Sequence, residues 1–435
     1  MFERSDALRE RAHAVIPGGA HTYAKGDDQY PRLAPGFIAR GLGCRVWDAD
    51  GNEFIEYGMG LRTVLLGHAF PEVVRAVEHQ LALGTNYARP SLIEVEAAEE
   101  LLSIVTGAEM VKFTKDGSTA NNAAVRLARA VTGRDRIAIC ADHPFFSTED
   151  WFIATTPMNA GIPKAVRELT VTFRYDDLAS VERLFAAYPG EIACLILEAS
   201  RGDDPKDGFL HETQRLCHRH GAVFVLDENI TGFRWHLGGA QQLYRITPDL
   251  STFGKALANG FAVSALVGRR ELMEVGGIRH DRERVFLLST THGGETHGLA
   301  AAIAAMRVYR REPVVEHLER LGTRLAAAVR DLAKGQGVER HLEVVGRPCN
   351  LSYTTLGPDG TPSQAFRALF LQELIARGAL APSFALSYSH RDVDVDRTLE
   401  AVDGALAVYQ RALEAGGVER FLDGPPTRVV FRRYC

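Results

Sequence analysis

The chain contains no cysteine pair at metal-ligand spacing, no membrane-length apolar run and no internal repeat or low-complexity tract. Its six cysteines, Cys44, Cys140, Cys194, Cys217, Cys349 and Cys435, are scattered without a CxxC pair. That usage reads as reduced thiols and excludes a disulfide framework or a zinc ribbon. "CHRH" at 217–220 is the nearest approach to a metal motif, yet Cys217, His218 and His220 do not share one helix face, so no metal site is expected. No apolar stretch nears the roughly 20 residues of a bilayer span, and the opening "MFERSDALRERAHAVIPGG" lacks the apolar centre of a signal peptide. A formal net charge of -5 is too mild to suggest nucleic acid as a partner. These absences point to a soluble cytoplasmic protein with neither membrane nor nucleic acid as a partner.

What remains is 435 residues with 46% hydrophobic content, enough to bury the cores of two or three structural units. "CRVWDADGNEFIEYG" predicts a hairpin turning at Asp50-Gly51. From about residue 67 helices alternate with short apolar strands. "SLIEVEAAEELLSIV" and "STANNAAVRLARAVTG" carry helical periodicity, the second stopping at Gly133. "MVKFT", "RIAIC", "IACLILEA" and "AVFVLDE" are strand-like, and strands so apolar on both faces predict a parallel sheet covered by helices. After residue 310 a long amphipathic helix, "VVEHLERLGTRLAAAVRDLAK", leads into a compact α+β unit. The expected organisation is a large α/β domain over 67–312 and a smaller domain assembled from 1–66 and 313–435.

Open parallel sheets gather ligands at the carboxyl ends of their strands. "AVFVLDENITGFRW" stops abruptly at Asp227, "CLILEASRG" stops at Glu198, and "VKFTKDGSTA" passes through Gly117 and Ser118 into a helix start suited to an anion. "STFGKALANGF" sets Lys255 alone in a small-residue, mostly apolar run. Together these fit pyridoxal 5'-phosphate. Its aldehyde needs a lysine for a Schiff base, its ring nitrogen a carboxylate, and its phosphate backbone donors.

The stretches "IPGGAHTY", "VWDADGNEFIEYG", "LLGHAFPEVV", "VRLARAVTGRDRI", "DENITGFRWHLGGAQ" and "TPDLSTFGKALANGF" make the chain resemble the class III aminotransferases of fold-type I, and within them the glutamate-1-semialdehyde aminomutases and their relatives. "GALAPS" and "SYSH" extend the likeness beyond residue 375. The resemblance implies a mostly parallel seven-stranded sheet in the large domain and a homodimer with shared active sites. It implies that Lys255 carries the Schiff base, that Asp227 pairs with the pyridine nitrogen, and that Gly117 and Ser118 form the phosphate turn. Phe145, with Phe146 as alternative, matches the aromatic that stacks on the ring, and Glu198 the acid near the substrate. Thr291, with Thr290 beside it, matches the threonine that reaches a partner's phosphate.

The chain also departs from that pattern. The usual Asn-Ser-Gly-Thr-Glu turn reads Lys115-Asp116-Gly117-Ser118-Thr119, and "HTYAKGD" offers Lys25 where the aminomutases carry an arginine for the substrate carboxylate. Lysine lacks arginine's bidentate fork. With Tyr23, Lys25 and Arg62 as substrate-binding candidates, the expected reaction moves an amino group from an amino donor to an aldehyde or ketone, an oxo-sugar or aminocyclitol intermediate being preferred. The alternative is an intramolecular 2,1-aminomutase.

Overall fold

The computed structural model describes residues 2–142, 146–200, 202–206 and 208–434. The chain divides into two compact units, one formed by residues up to Phe70 and from Glu316 onward, the other by Pro71–Val315. None of the described helices is long and apolar enough to cross a membrane.

In the first unit, β1 (Ile38–Leu42), β2 (Arg45–Asp48) and β3 (Glu53–Glu56) form an antiparallel meander. The β2–β3 hairpin turns at Asp50-Gly51. The Asp48 carboxylate draws the turn closed by accepting from the backbone N–H groups of Asp50 at 3.0 Å and Asn52 at 2.8 Å.

The second unit carries β4 (Met110–Thr114), β5 (Arg136–Cys140), β6 (Thr170–Phe173), β7 (Ile192–Glu198), β8 (Val223–Asp227), β9 (Leu250–Phe253) and β10 (Ser264–Gly268). They form one seven-stranded sheet in the order β4-β10-β9-β8-β7-β5-β6. Neighbours from β9 through β6 pair in parallel, and β10 runs antiparallel to both β4 and β9. Every residue of β7, β8, β9 and β10 is buried, as the apolar runs of β7 and β8 demand. Burying one such Leu or Ile side chain contributes about 1.5–3 kcal/mol. The helix Leu92–Ile104 begins at a capping box, the Glu94 carboxylate accepting from the Ser91 backbone N–H at 2.7 Å. Gly117–Thr132 carries the chain from β4 to β5 and ends where Gly133 adopts φ 65°.

The first unit resumes with a hairpin of β11 (Leu342–Val345) and β12 (Ser352–Thr355). The two-residue β13 (Ala379–Leu380) then adds in parallel to β3, closing a four-stranded sheet. The helices Gln364–Ala376 and Asp392–Glu414 complete the unit. Its core gathers Phe2, Val46, Phe54, Leu371, Ile375 and Leu380 from both ends of the chain.

A buried histidine should make this unit acid-sensitive. His390 is fully buried, and its Nδ1 accepts from the Ser387 backbone N–H at 3.0 Å and contacts the Ser387 hydroxyl at 2.9 Å. A proton on Nδ1 would face that N–H. Burial lowers the His390 pKa from 6.5 to about 4, opposed by the Asp394 carboxylate. The folded state therefore binds this proton more weakly than the unfolded chain. Its contribution is complete above pH 6.5 and is lost as pH falls toward 4, a loss of about 3 kcal/mol. Urea unfolding of wild type and His390→Gln across that window should show this slope in the wild type and a flatter one in the variant; parallel curves would refute the assignment.

Candidate active site

The carboxyl edge of the seven-stranded sheet places its polar residues side by side. Glu198, the last residue of β7, pairs in register with Asp227, the last of β8, and Asp227 pairs with Thr252 of β9. The sheet's hydrogen bonding runs one step further, Glu228 N–H donating to the Thr252 carbonyl at 2.8 Å. There β8 turns away. The buried Glu228 carboxylate secures the returning chain by accepting from the N–H groups of Ala240 at 2.9 Å and Gln241 at 2.6 Å and from the Thr231 hydroxyl. Burial raises its pKa to about 7, against these three donors.

Asp227 is buried and its carboxylate is fixed from two sides. Asn121 Nδ2 donates to Oδ2 at 2.8 Å, while the backbone N–H and Nδ2 of Asn229 donate to Oδ1 at 2.8 and 2.7 Å. Thr252 locks the two amides, donating to Asn121 Oδ1 at 2.6 Å and accepting from Asn229 Nδ2 at 3.3 Å. Burial lifts the Asp227 carboxyl above the usual carboxylate range, opposed first by the positive charge of Lys255 and then by these N–H donors.

Lys255 follows β9 by two residues and opens the short 3₁₀ turn Lys255–Ala258. It is partly buried between fully buried neighbours, and its backbone is left-handed at φ 44°. Gly254 and Gly117 are glycines for want of room. A Cβ on Gly254 would lie 2.3 Å from Asn229 Oδ1, and one on Gly117 would lie 2.6 Å from the same atom. The lysine turn and the start of the Gly117–Thr132 helix thus close on one side chain, the amide that also holds Asp227.

At that helix start the Asp116 side chain caps Thr119, accepting from its N–H at 2.8 Å and its hydroxyl at 2.9 Å. The Ser118 hydroxyl accepts from the Thr148 N–H at 3.2 Å. Lys115 pairs with Glu295 at 2.8 Å, and that hydrogen bond holds the Glu295 carboxyl below the usual range. The phosphate-turn departure is therefore a self-capped acid flanked by an ion pair. A buried acid, a partly buried amine, and a glycine-lined helix start form a donor set that fits pyridoxal 5'-phosphate.

The predicted residues Lys255, Asp227, Gly117, Ser118 and Glu198 all lie in this unit. Asp227, Gly254 and Gly117 meet around Asn229, Lys255 is the next residue after Gly254, and Glu198 is buried beside Asp227 in the sheet. Phe145 lies outside the described residues. Phe146 is buried, its carbonyl accepting from Asn121 Nδ2 at 2.8 Å and its ring edge-on to Phe152 at 5.9 Å. Thr290 and Thr291 are exposed, and the Thr291 carbonyl accepts from Asn86 Nδ2 at 3.0 Å. Tyr23, Lys25 and Arg62 belong to the first unit. Tyr23 and Lys25 are exposed, and Arg62, at φ 74°, donates from Nε to Asn350 Oδ1 at 2.6 Å. Asn121, Asn229 and Thr252 are the residues sequence reasoning missed. The available signal was spacing: Asn121 stands one helical turn after Gly117, and Asn229 two residues after the strand-end acid.

The family model described as aminotransferase class-III matches residues 27–351. The glutamate-1-semialdehyde 2,1-aminomutase of Desulfitobacterium hafniense (strain Y51) is 33% identical over 421 residues, covering 92% of this chain and 96% of its own. That of Anaeromyxobacter sp. (strain Fw109-5) is 34% identical over 430 residues, covering 93% and 98%. Among solved structures, the PLP form of the FumI protein of Sphingopyxis sp. MTA144 superposes with a TM-score of 0.86 at 29% identity, covering 95% of this chain and 98% of that one. An omega-transaminase from Sphaerobacter thermophilus gives 0.84 at 28%, with coverage of 94% and 98%.

Proposed function

The chain belongs to the class-III aminotransferase family, and on that basis we propose an enzyme that moves an amino group from an amino donor to an aldehyde or ketone acceptor. Its cofactor is pyridoxal 5'-phosphate. One observation carries the assignment of residues: the two oxygens of the buried Asp227 are oriented by Asn121 and Asn229, and the Asn229 side chain also packs against Gly254, which directly precedes Lys255.

When bound, pyridoxal 5'-phosphate supplies an aldehyde that captures amines and a ring that takes up electron density from a carbon losing its proton. Lys255 would hold the aldehyde, Asp227 the ring nitrogen, and Gly117 and Ser118 the phosphate. Displaced by an incoming amine, Lys255 Nζ would take the proton from the carbon that bears the amino group and hold it for return to the reacting carbons. Three N–H donors hold the Asp227 carboxyl group in one orientation. Phe145 and Glu198 would face the ring and the substrate. Thr291 would serve the phosphate of a partner subunit in a symmetric homodimer.

The preferred acceptor is polyhydroxylated, an oxo-sugar or aminocyclitol. What supports it is the missing arginine in "HTYAKGD", which argues against a carboxylate-anchored substrate; Tyr23, Lys25 and Arg62 would be the substrate-binding residues. The names of the 33–34% identical relatives favour a second reading, the 2,1-aminomutase. Protein loaded with pyridoxamine 5'-phosphate and given glutamate 1-semialdehyde without another donor separates the two. A transaminase stops after at most one equivalent per site, whereas sustained turnover would replace our reading with the mutase.

A further inference from the structure

The turn that carries Lys255 begins and ends in left-handed backbone. Lys255 has φ 44° and Asn259 φ 45°, a conformation that asparagine tolerates and that is unfavourable for lysine. Something must hold the turn in that shape. Within it, Leu257 N–H donates to the Gly254 carbonyl at 2.9 Å and Asn259 N–H to the Ala256 carbonyl at 3.2 Å.

The Ala256 carbonyl has a second donor from outside the turn. Tyr309, on the helix Thr296–Arg311, is buried and its hydroxyl donates to Ala256 O at 2.7 Å. The face of its ring lies against Phe233, with centroids 5.3 Å apart and planes at 27°. Phe233 is itself left-handed at φ 63° and lies in the turn that follows Asp227 and Glu228. It also meets Phe253, the last residue of β9, at 5.8 Å. One side chain therefore touches both turns of the site, by hydroxyl on the lysine side and by ring on the acid side.

We propose, resting on Lys255 as the cofactor-holding lysine, that Tyr309 is a positioning residue that sets the direction of Lys255 by clamping the carbonyl of Ala256. Proton transfer needs Nζ placed to within a fraction of an ångström, so a turn free to relax would move the amine off its line. The hydroxyl contributes what packing alone cannot, since the neighbouring rings hold the tyrosine ring with or without it.

Tyr309→Phe keeps the ring and removes the bond. In the cofactor-free protein, amide hydrogen exchange over residues 255–260 should quicken ~5-fold, the equivalent of a hydrogen bond of ~1 kcal/mol. Exchange over the 296–311 helix should stay unchanged. In protein loaded with pyridoxal 5'-phosphate, the pH midpoint of the cofactor's absorption change should move by about half a unit or more, half a unit being ~0.7 kcal/mol. Phe233→Leu, which keeps the hydroxyl, should shift both readouts less, and it carries the test if Tyr309→Phe does not fold. Unchanged exchange over 255–260, or an equal rise along the whole helix with a fixed midpoint, would overturn the role. Lys255→Ala serves as the control. If it leaves the absorption of loaded protein unaltered, the cofactor assignment of Lys255 fails and takes the positioning role with it, whatever the exchange in cofactor-free protein shows.

Discussion

Lys255→Ala should leave a folded protein that binds pyridoxal 5'-phosphate without a covalent bond and turns over at least ~10³-fold more slowly. The fold should survive because alanine keeps the Cβ and meets the same left-handed backbone at φ 44° that lysine already occupies. The chemistry should not, since no second amine stands in the turn 254–260 to take the proton. The electrostatics change in a definite direction as well. The charge of Lys255 is the largest influence opposing the burial of Asp227, so its removal raises the Asp227 pKa further. Borohydride reduction followed by peptide mapping is the direct check: cofactor fixed at Lys255 in wild type, none fixed in the variant. Added methylamine, small enough to enter the space vacated by three methylenes and the amine, should restore part of the rate. A variant that still fixes the cofactor, or turns over within tenfold of wild type, would remove Lys255 from the mechanism.

Lys255 and Asp227 are legible in the sequence for a physical reason. Each interrupts an apolar run, and a charge beside buried neighbours needs an explanation. The long, uniformly apolar strands β7 and β8 are legible for the same reason. The strand β9 is not, because "LSTF" has four residues, two of them hydroxylic, and reads as a loop until Ser251 and Thr252 are seen buried in the sheet. The antiparallel β10 is hidden differently: a short run carries no mark of its direction, so composition reaches a parallel sheet and only the family resemblance implies a mostly parallel one. The amides that orient Asp227 are the largest omission. Asn121 sits in "STANNAAV", where asparagine ordinarily signals an exposed helix face, and only the closure of that helix on β8 and β9 makes it a buried donor. Glu228 belongs to the same class, a carboxylate whose work is to hold the loop 238–241 rather than to meet a substrate.

Asp227→Asn should cost roughly 10²–10³-fold in turnover, and the surroundings of the carboxylate explain why so small a change does so much. The substitution is nearly isosteric in shape but not in hydrogen bonding. Both oxygens of Asp227 accept: Oδ2 from Asn121, Oδ1 twice from Asn229. An amide placed there must turn its NH₂ toward one of these donors, leaving N–H facing N–H in a buried site at a cost of about 1–3 kcal/mol. Asn121 could flip its own amide in response, but its Oδ1 is held by the Thr252 hydroxyl, so one mismatch is exchanged for another. The variant should therefore lose stability even without cofactor, which urea unfolding of the stripped protein measures directly. The loss of turnover is separate, because a neutral amide cannot hold a protonated ring nitrogen by charge. Asn121→Ala divides the two effects: it loosens the carboxylate without neutralising it, and should give the smaller loss of turnover. If Asp227→Asn turns over within tenfold of wild type while its stripped form is destabilised, Asp227 is a structural acid at a strand end and the electron-sink assignment is wrong.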